Sequence, residues 1–84
     1  MGELRMQSRG TAVRQLQEIL NKLIAAQPPL RVDGIFGPKT TARVVIFQKQ
    51  ARLVPDGIVG QKTNRALVAS VFTAAMSAQW GQLR

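Results

Sequence analysis

The chain contains no cysteine and no histidine. The first absence removes disulfide staples, and together they remove the common zinc sites and every catalytic design built on a thiolate or an imidazole. Carboxylates are scarce as well: Glu3, Glu18, Asp33 and Asp56 stand against twelve Lys and Arg, which leaves a formal net charge of +8. That balance predicts attraction to polyanions, whether nucleic acid, anionic lipid or a wall polymer carrying carboxylates and phosphates. Long apolar runs are missing too. The N-terminal residues Met1 to Gln7 hold no signal-peptide core. The charge-free stretch from Ala66 to Leu83 is broken by Ser70, Thr73, Ser77, Gln79, Gly81 and Gln82 and falls short of the ~20 apolar residues a spanning helix needs, so it reads as a packing helix. At 84 residues, one small domain is expected, burying only roughly 60–65% of its unfolded surface.

What is present is a phrase spoken twice. Asp33-Gly34-Ile35-Phe36-Gly37-Pro38-Lys39-Thr40 returns, offset by 23 residues, as Asp56-Gly57-Ile58-Val59-Gly60-Gln61-Lys62-Thr63. An internal repeat means one supersecondary unit used twice. Asp-Gly is a turn dipeptide, because the Asp side chain bonds downstream amides and Gly accepts positive φ at no steric cost. The apolar pair that follows, Ile35-Phe36 or Ile58-Val59, can plug the turn into a core. Gly37-Pro38 is a helix-start signal, since Pro at the first position gives up an amide that would be orphaned anyway.

Around this phrase the periodicity predicts an all-α, compact three-helix bundle with two related Asp-Gly-x-x-Gly loops. Helix one is expected over 11–25, with Val13, Leu16, Leu20, Leu23 and Ile24 on one stripe, a Glu18–Lys22 pair, and Ser8 or Thr11 as cap. Gln27-Pro28-Pro29 forces its end. Helix two is expected from Pro38 to about Ala51, apolar on two faces and therefore either sandwiched between the other two, the favoured reading, or leaving apolar surface exposed for a partner. Gly60-Gln61 opens helix three, which runs to Trp80 and is ended by Gly81. Its stripes are Leu67, Val71, Ala74, Ala75 and Ala78, and beside it Val68, Phe72 and Met76.

The two aspartates have three readings. As a glycosidase pair they would need one carboxyl in an apolar, proton-holding pocket, yet both sit in identical turn contexts. As ligands of a hard cation they would need further oxygens at alternate positions, where the sequence has Gly, Ile and Phe or Val. The favoured reading is architectural: Asp bonds the loop amides or the Thr seven residues on, and Thr40 and Thr63 close each loop onto its helix.

The assembled pattern is Gly10-x-x-Val13-x-x-Leu16-Gln17-x-x-Leu20, Asp33-Gly34-x-Phe36-Gly37-Pro38-x-Thr40, Val44-x-x-Phe47-Gln48 and Leu53-x-x-Asp56-Gly57-x-x-Gly60-x-x-Thr63-x-x-Ala66-Leu67. It resembles the type 1 family of peptidoglycan-binding domains over about residues 8–68 of a single domain spanning 1–84, with 69–84 as a C-terminal extension. The resemblance implies a module that binds peptidoglycan or muropeptide and does not cut it. It also implies a catalytic wall-hydrolase domain as neighbour, no cofactor or metal, and a place in the bacterial cell envelope. Two features depart from the family pattern: Pro28-Pro29 replaces a Gly-containing turn, and Arg43 stands where Ala is common.

The expected groove lies along the repeat units and the sides of helices one and two. On the first unit the candidate ligand-binding residues are Asp33, Gly34, Phe36, Gly37 and Thr40, with Arg14 and Arg43 beside them. On the second they are Asp56, Gly57, Gly60, Thr63 and Arg65. Uncovered loop amides near helix N-termini would meet stem-peptide carboxylates. The arginines would add charge-assisted bonds, and Phe36 or Trp80 would face a sugar or a diaminopimelate methylene.

Competing readings come from other classes. A helix-turn-helix nucleic-acid binder would use the charge, but a recognition helix carries basic and amide side chains on its exposed face, and helix three is neutral after Arg65. A dimerisation or docking module would use the wide face of helix three and Trp80. A metalloprotease prodomain of this fold family would need the zinc-blocking cysteine that the chain lacks.

Overall fold

The computed structural model describes residues 3–25 and 28–82, with side chains described as far as residue 73. Three helices follow in order: α1 Thr11–Leu23, α2 Pro38–Gln50 and α3 Gln61–Gln82. Among the described residues there is no named strand. Two isolated antiparallel bridges, Leu4 with Val59 and Arg9 with Ile35, stand in place of a sheet.

The first helix starts without a side-chain cap. Gly10 occupies the N-cap position at φ 120°, while the Ser8 hydroxyl is engaged by the amide of Arg5 at 3.1 Å. The expected capping by Ser8 or Thr11 is therefore not made. The helix also ends two residues early: Ile24 is extended at φ −122° and ψ 107° and buried, so its side chain plugs the core from outside the helix. Asn21 then secures the returning chain, donating to the Leu30 carbonyl at 2.9 Å and accepting the Leu30 amide at 2.8 Å. Among the described residues the one ion pair joins Arg5 to Glu3; the expected Glu18–Lys22 pair is not made.

Pro38 sits in the first turn of α2 behind an N-cap Gly37, as the Gly-Pro signal predicts. At its other end the amide of Arg52 bonds the carbonyl of Lys49 at 3.2 Å, and that of Leu53 bonds Gln48 at 2.8 Å. This is the paired bonding of a Schellman ending, with Arg52 at φ 60° where glycine is usual.

The core is a single cluster around Val13, Leu16, Leu20, Phe36, Val44 and Phe47. It is α1, not α2, that lies between the other two helices; the α2–α3 contact is weaker. The expected sandwich around α2 is thus overturned. The second apolar face of α2 stays open, with Ala42 and Ile46 exposed, while the second loop packs against the neighbouring Thr41 and Val45. A Cβ on Gly57 would lie 2.9 Å from Thr41 Cγ2 and 3.6 Å from Val45 Cγ2.

Among the described side chains of α3, Thr63 and Leu67 are buried and Ala66 packs against the core. At 1.5 Å per residue, α3 is about 33 Å long against about 20 Å for α1, and it projects beyond the bundle to give extents of 45 × 24 × 24 Å. Val68 and Phe72 are 59% and 66% exposed there. The helix passes through Gly81 instead of ending at it, and the Trp80 side chain lies outside the described residues.

Candidate functional site

Each loop is built around a buried glutamine on the helix before it. Gln17 of α1 is 1% exposed. Its Nε2 donates to Asp33 Oδ1 at 3.1 Å, to the Ile35 carbonyl at 3.0 Å and to Thr40 Oγ1 at 3.1 Å. Its Oε1 accepts the amides of Asp33 at 3.1 Å and Gly34 at 3.0 Å. Gln48 of α2 repeats the arrangement, with Asp56 Oδ1, the Ile58 carbonyl and Thr63 Oγ1 each at 3.0 Å and the Gly57 amide at 2.9 Å. A carboxamide is the only uncharged side-chain group that offers two donors and an acceptor at once, so one buried Gln satisfies a whole turn.

The aspartates complete the loops from outside. Asp33 Oδ1 accepts the Ile35 amide at 3.0 Å, and Asp56 Oδ1 accepts the Ile58 amide at 2.9 Å. These amides, and after them the Gln17 or Gln48 carboxamide, hold both carboxyls below the ordinary value of 3.8. Both are thus ionised acceptors at neutral pH, a state unlike that of a proton-holding acid. Gly34 and Gly57 lie at φ 75° and 74°, a conformation that L side chains rarely adopt.

The N-terminal segment ties the two loops together. Leu4 and Val59 exchange backbone bonds of 3.1 and 2.8 Å. The Gln7 amide reaches the Phe36 carbonyl at 2.8 Å, the Phe36 amide reaches Ser8 at 2.9 Å, and the Gly10 amide reaches Gly34 at 2.9 Å. No periodicity announces this, because the segment is irregular, turning at Met6-Gln7 with Gln7 at φ 80°, and its pairing partners are loops.

The candidate residues separate into groups. Asp33, Thr40, Asp56 and Thr63 are internal partners of the two glutamines. Phe36 is completely buried. The amides of Gly34, Gly37 and Gly57 donate to Gln17, to the Ile35 carbonyl and to Gln48, within the loop framework. The Arg43 guanidinium donates to the Pro28 carbonyl, tying α2 to the connection after α1. Arg14 lies over the first loop, with its Cγ and Nε 3.2 Å from where a Cβ on Gly34 would be. Arg65 is exposed on α3. Gln17 and Gln48 are the residues that sequence reasoning passed over. The signal was the Leu-Gln and Phe-Gln dipeptides at matching places in two apolar stripes.

The larger cleft, about 600 Å³, opens between α1 and α3 instead of α1 and α2. Leu4, Leu16, Ile19 and Leu67 form its floor, while Gln15, Gln61, Asn64 and Glu3 stand around it. Gly60 is the one candidate residue that lines it. A smaller recess of about 390 Å³ adjoins, sharing Glu3, Gly60 and Gln61 and reaching Asp56 and Thr63. The size of the larger cleft falls in the range of ligand sites, and its chemistry is their usual mixture of apolar walls and a few placed polar groups. Among the described residues no three potential metal ligands cluster, and no helix is long and apolar enough to cross a membrane.

Comparison with known proteins places this architecture. The sequence pattern of the peptidoglycan binding domain matches residues 9–67. A probable N-acetylmuramoyl-L-alanine amidase of Bacillus licheniformis is 38% identical over 66 residues, covering 79% of this chain and 19% of the relative. The zinc D-Ala-D-Ala carboxypeptidase of Streptomyces albus G is 44% identical over 62 residues, covering 74% of this chain and 24% of the relative. The chain therefore spans a quarter or less of the length of these two relatives. Among solved structures, the SleB N-terminal domain superposes with a TM-score of 0.74 at 31% identity, covering 81% of this chain and 90% of that one. Three helices, two Gln-held Asp-Gly loops and these matches agree: the chain belongs to the peptidoglycan-binding domain family, a family of three-helix binding modules.

Proposed function

We propose that the domain binds the peptide part of peptidoglycan in the α1–α3 cleft, without cutting it, and so holds an attached wall hydrolase on its substrate in the bacterial cell envelope. The observation that carries this reading is the frame of three carboxamides, Gln15, Gln61 and Asn64, over an apolar floor. A stem peptide offers alternating amide donors and acceptors with small methyl side chains. Carboxamides match the former and the floor matches the latter. The loops serve the site by shape: they set Val59 and Gly60 against the start of α3. Arg14 and Arg65, both exposed, and the charge of +8 draw the domain to an anionic wall.

Sedimentation with purified sacculi tests the function, with duplex DNA as competing polyanion. The domain is expected in the pellet at low salt and displaced little by DNA; recovery in the supernatant would sink the reading. Chemical-shift mapping with soluble muropeptide tests the place. Shifts are expected at Gln15, Gly60, Asn64 and Leu67, whereas shifts confined to Gly34, Arg14 and their neighbours would move the site to the first loop.

Exposed Val68 and Phe72 favour a second reading, in which α3 docks a second protein or a second copy. Sedimentation equilibrium tests self-association, and a monomer at millimolar concentration excludes it.

A further inference from the structure

The charge around the cleft is opposite to the charge of the chain. The sequence has twelve cations and four carboxylates, yet no Lys or Arg lines the larger cleft and one carboxylate, Glu3, does. Glu3 is held at this edge from both sides. The backbone bonds of Leu4 with Val59 fix the segment against the second loop, and Glu3 Oε1 is paired with Arg5. The other oxygen, Oε2, is turned toward Gly60, lying 3.6 Å from where a Cβ would stand. Glu3 and Gly60 both line the cleft, and the Glu3 side chain is 54% exposed. The adjoining recess also contains Glu3, together with Asp56 and Lys62, so the carboxylate stands where the two depressions meet and the one cation lining either of them, Lys62, lies in the recess, not in the larger cleft.

A carboxylate beside a cation-free cleft attracts an ammonium and repels a carboxylate. Peptidoglycan stem peptides are rich in carboxyl groups and carry one side-chain amine, on their diamino acid. That amine is a neutral amide where the stem is the acyl acceptor of a cross-link and a free ammonium otherwise. We infer that Glu3 selects the free ammonium of the diamino acid, so that the domain prefers stems whose side-chain amine is free over those acylated there as acceptors in a cross-link. This rests on the cleft being the muropeptide site. It divides the work of the surface: the many cations bring the domain to the wall, and one carboxylate chooses where on it the domain stops.

Isothermal titration at low salt tests the inference with two ligands, an N-acetylmuramoyl tripeptide ending in a diamino acid with its side-chain amine free, and the same compound acetylated on that amine. The wild-type domain is expected to bind the free-amine form roughly threefold to fivefold more tightly, the weight of one partly solvated ion pair. Glu3→Gln is expected to bind both forms equally, at about the affinity of the wild type for the acetylated one. Arg5→Gln, which breaks the Glu3–Arg5 pair and leaves the carboxylate, is expected to keep or widen the preference. Equal binding of the two forms by the wild type would overturn the inference and leave the cleft reading standing. Binding of neither form would overturn both. Loss of the preference in Arg5→Gln as complete as in Glu3→Gln would show that the pair merely shapes the segment, and would also overturn it.

Discussion

Gln17 reaches Asp33 across 16 residues of chain, and Gln48 reaches Asp56 across 8. The atoms at the two ends are the same; the intervening chain is not. In the first unit the extra residues carry Ile24 and Leu30 into the core and are pinned by Asn21, whereas in the second the helix turns directly into the loop through its Schellman ending. The repeating unit is therefore a helix followed by its loop, with Val13-x-x-Leu16-Gln17 answering Val44-x-x-Phe47-Gln48 at an offset of 31 residues while the loop halves are offset by 23. The first loop is the more tightly held. Gln17 makes five hydrogen bonds to it, Gln48 makes four to the second, and the N-terminal segment adds three backbone bonds to the first against two to the second.

The largest effect that would sharpen this contrast comes from the glutamines. Gln17→Ala strands a buried threonine, a carbonyl and two amides and should destabilise by about 4 kcal/mol or more. Gln48→Ala should cost somewhat less; urea unfolding that ranks them the other way would break the comparison. Next come the plugs. Phe36→Ala should cost about 3–5 kcal/mol and Val59→Ala about 2 kcal/mol, because the first removes a whole buried ring and the second two methyl groups.

The glycines reverse the order. At Gly34 a new Cβ meets the flexible Arg14 at 3.2 Å and the Gly10 carbonyl at 3.3 Å, but at Gly57 it meets Thr41 Cγ2 at 2.9 Å. Thr41 cannot turn away freely, since its hydroxyl bonds the Gly37 carbonyl at 3.0 Å. Both Gly→Ala changes bear a left-handed backbone cost of about 1–2 kcal/mol, and Gly57→Ala should cost about 1 kcal/mol more. Thr41→Ser, by deleting the offending methyl, should recover most of that difference in the double variant.

The smallest effect is acidic. The folded values of Asp33 and Asp56 lie below 3.8, so their contribution is present above that pH and is lost as pH falls through the folded values. Between about pH 5 and about pH 2.5 the urea midpoint of the wild type should fall more steeply than that of Asp33→Asn/Asp56→Asn. Parallel curves would show that the carboxylate charge contributes nothing to the loops.

The helices were legible because apolar spacing and the Gly-Pro start are local signals: α2 begins at Pro38 as expected, and Val13, Leu16 and Leu20 fall on the buried face. The architectural reading of Asp and Thr was legible for the same reason. The partner that joins them was not, since Gln17 and Gln48 are polar residues beside apolar stripes and read as flanks until the loops fold back on them. The cleft was less legible still. Gln15 and Asn64 are distant in sequence, and nothing in either helix alone says that α1 instead of α2 occupies the middle.

By itself the sequence determined the three helices and the two turns, which depend on local spacing and on the φ preferences of Gly and Pro, and the family, which depends on the order of those local motifs along residues 9–67. The tertiary structure alone decided which helix is central, that the N-terminal segment laces the loops, and that the aspartates and threonines of the repeated phrase bond to Gln17 and Gln48. Those outcomes depend on which buried donors find acceptors across the fold, and a donor's partner is a property of three-dimensional neighbours, not of position in the chain.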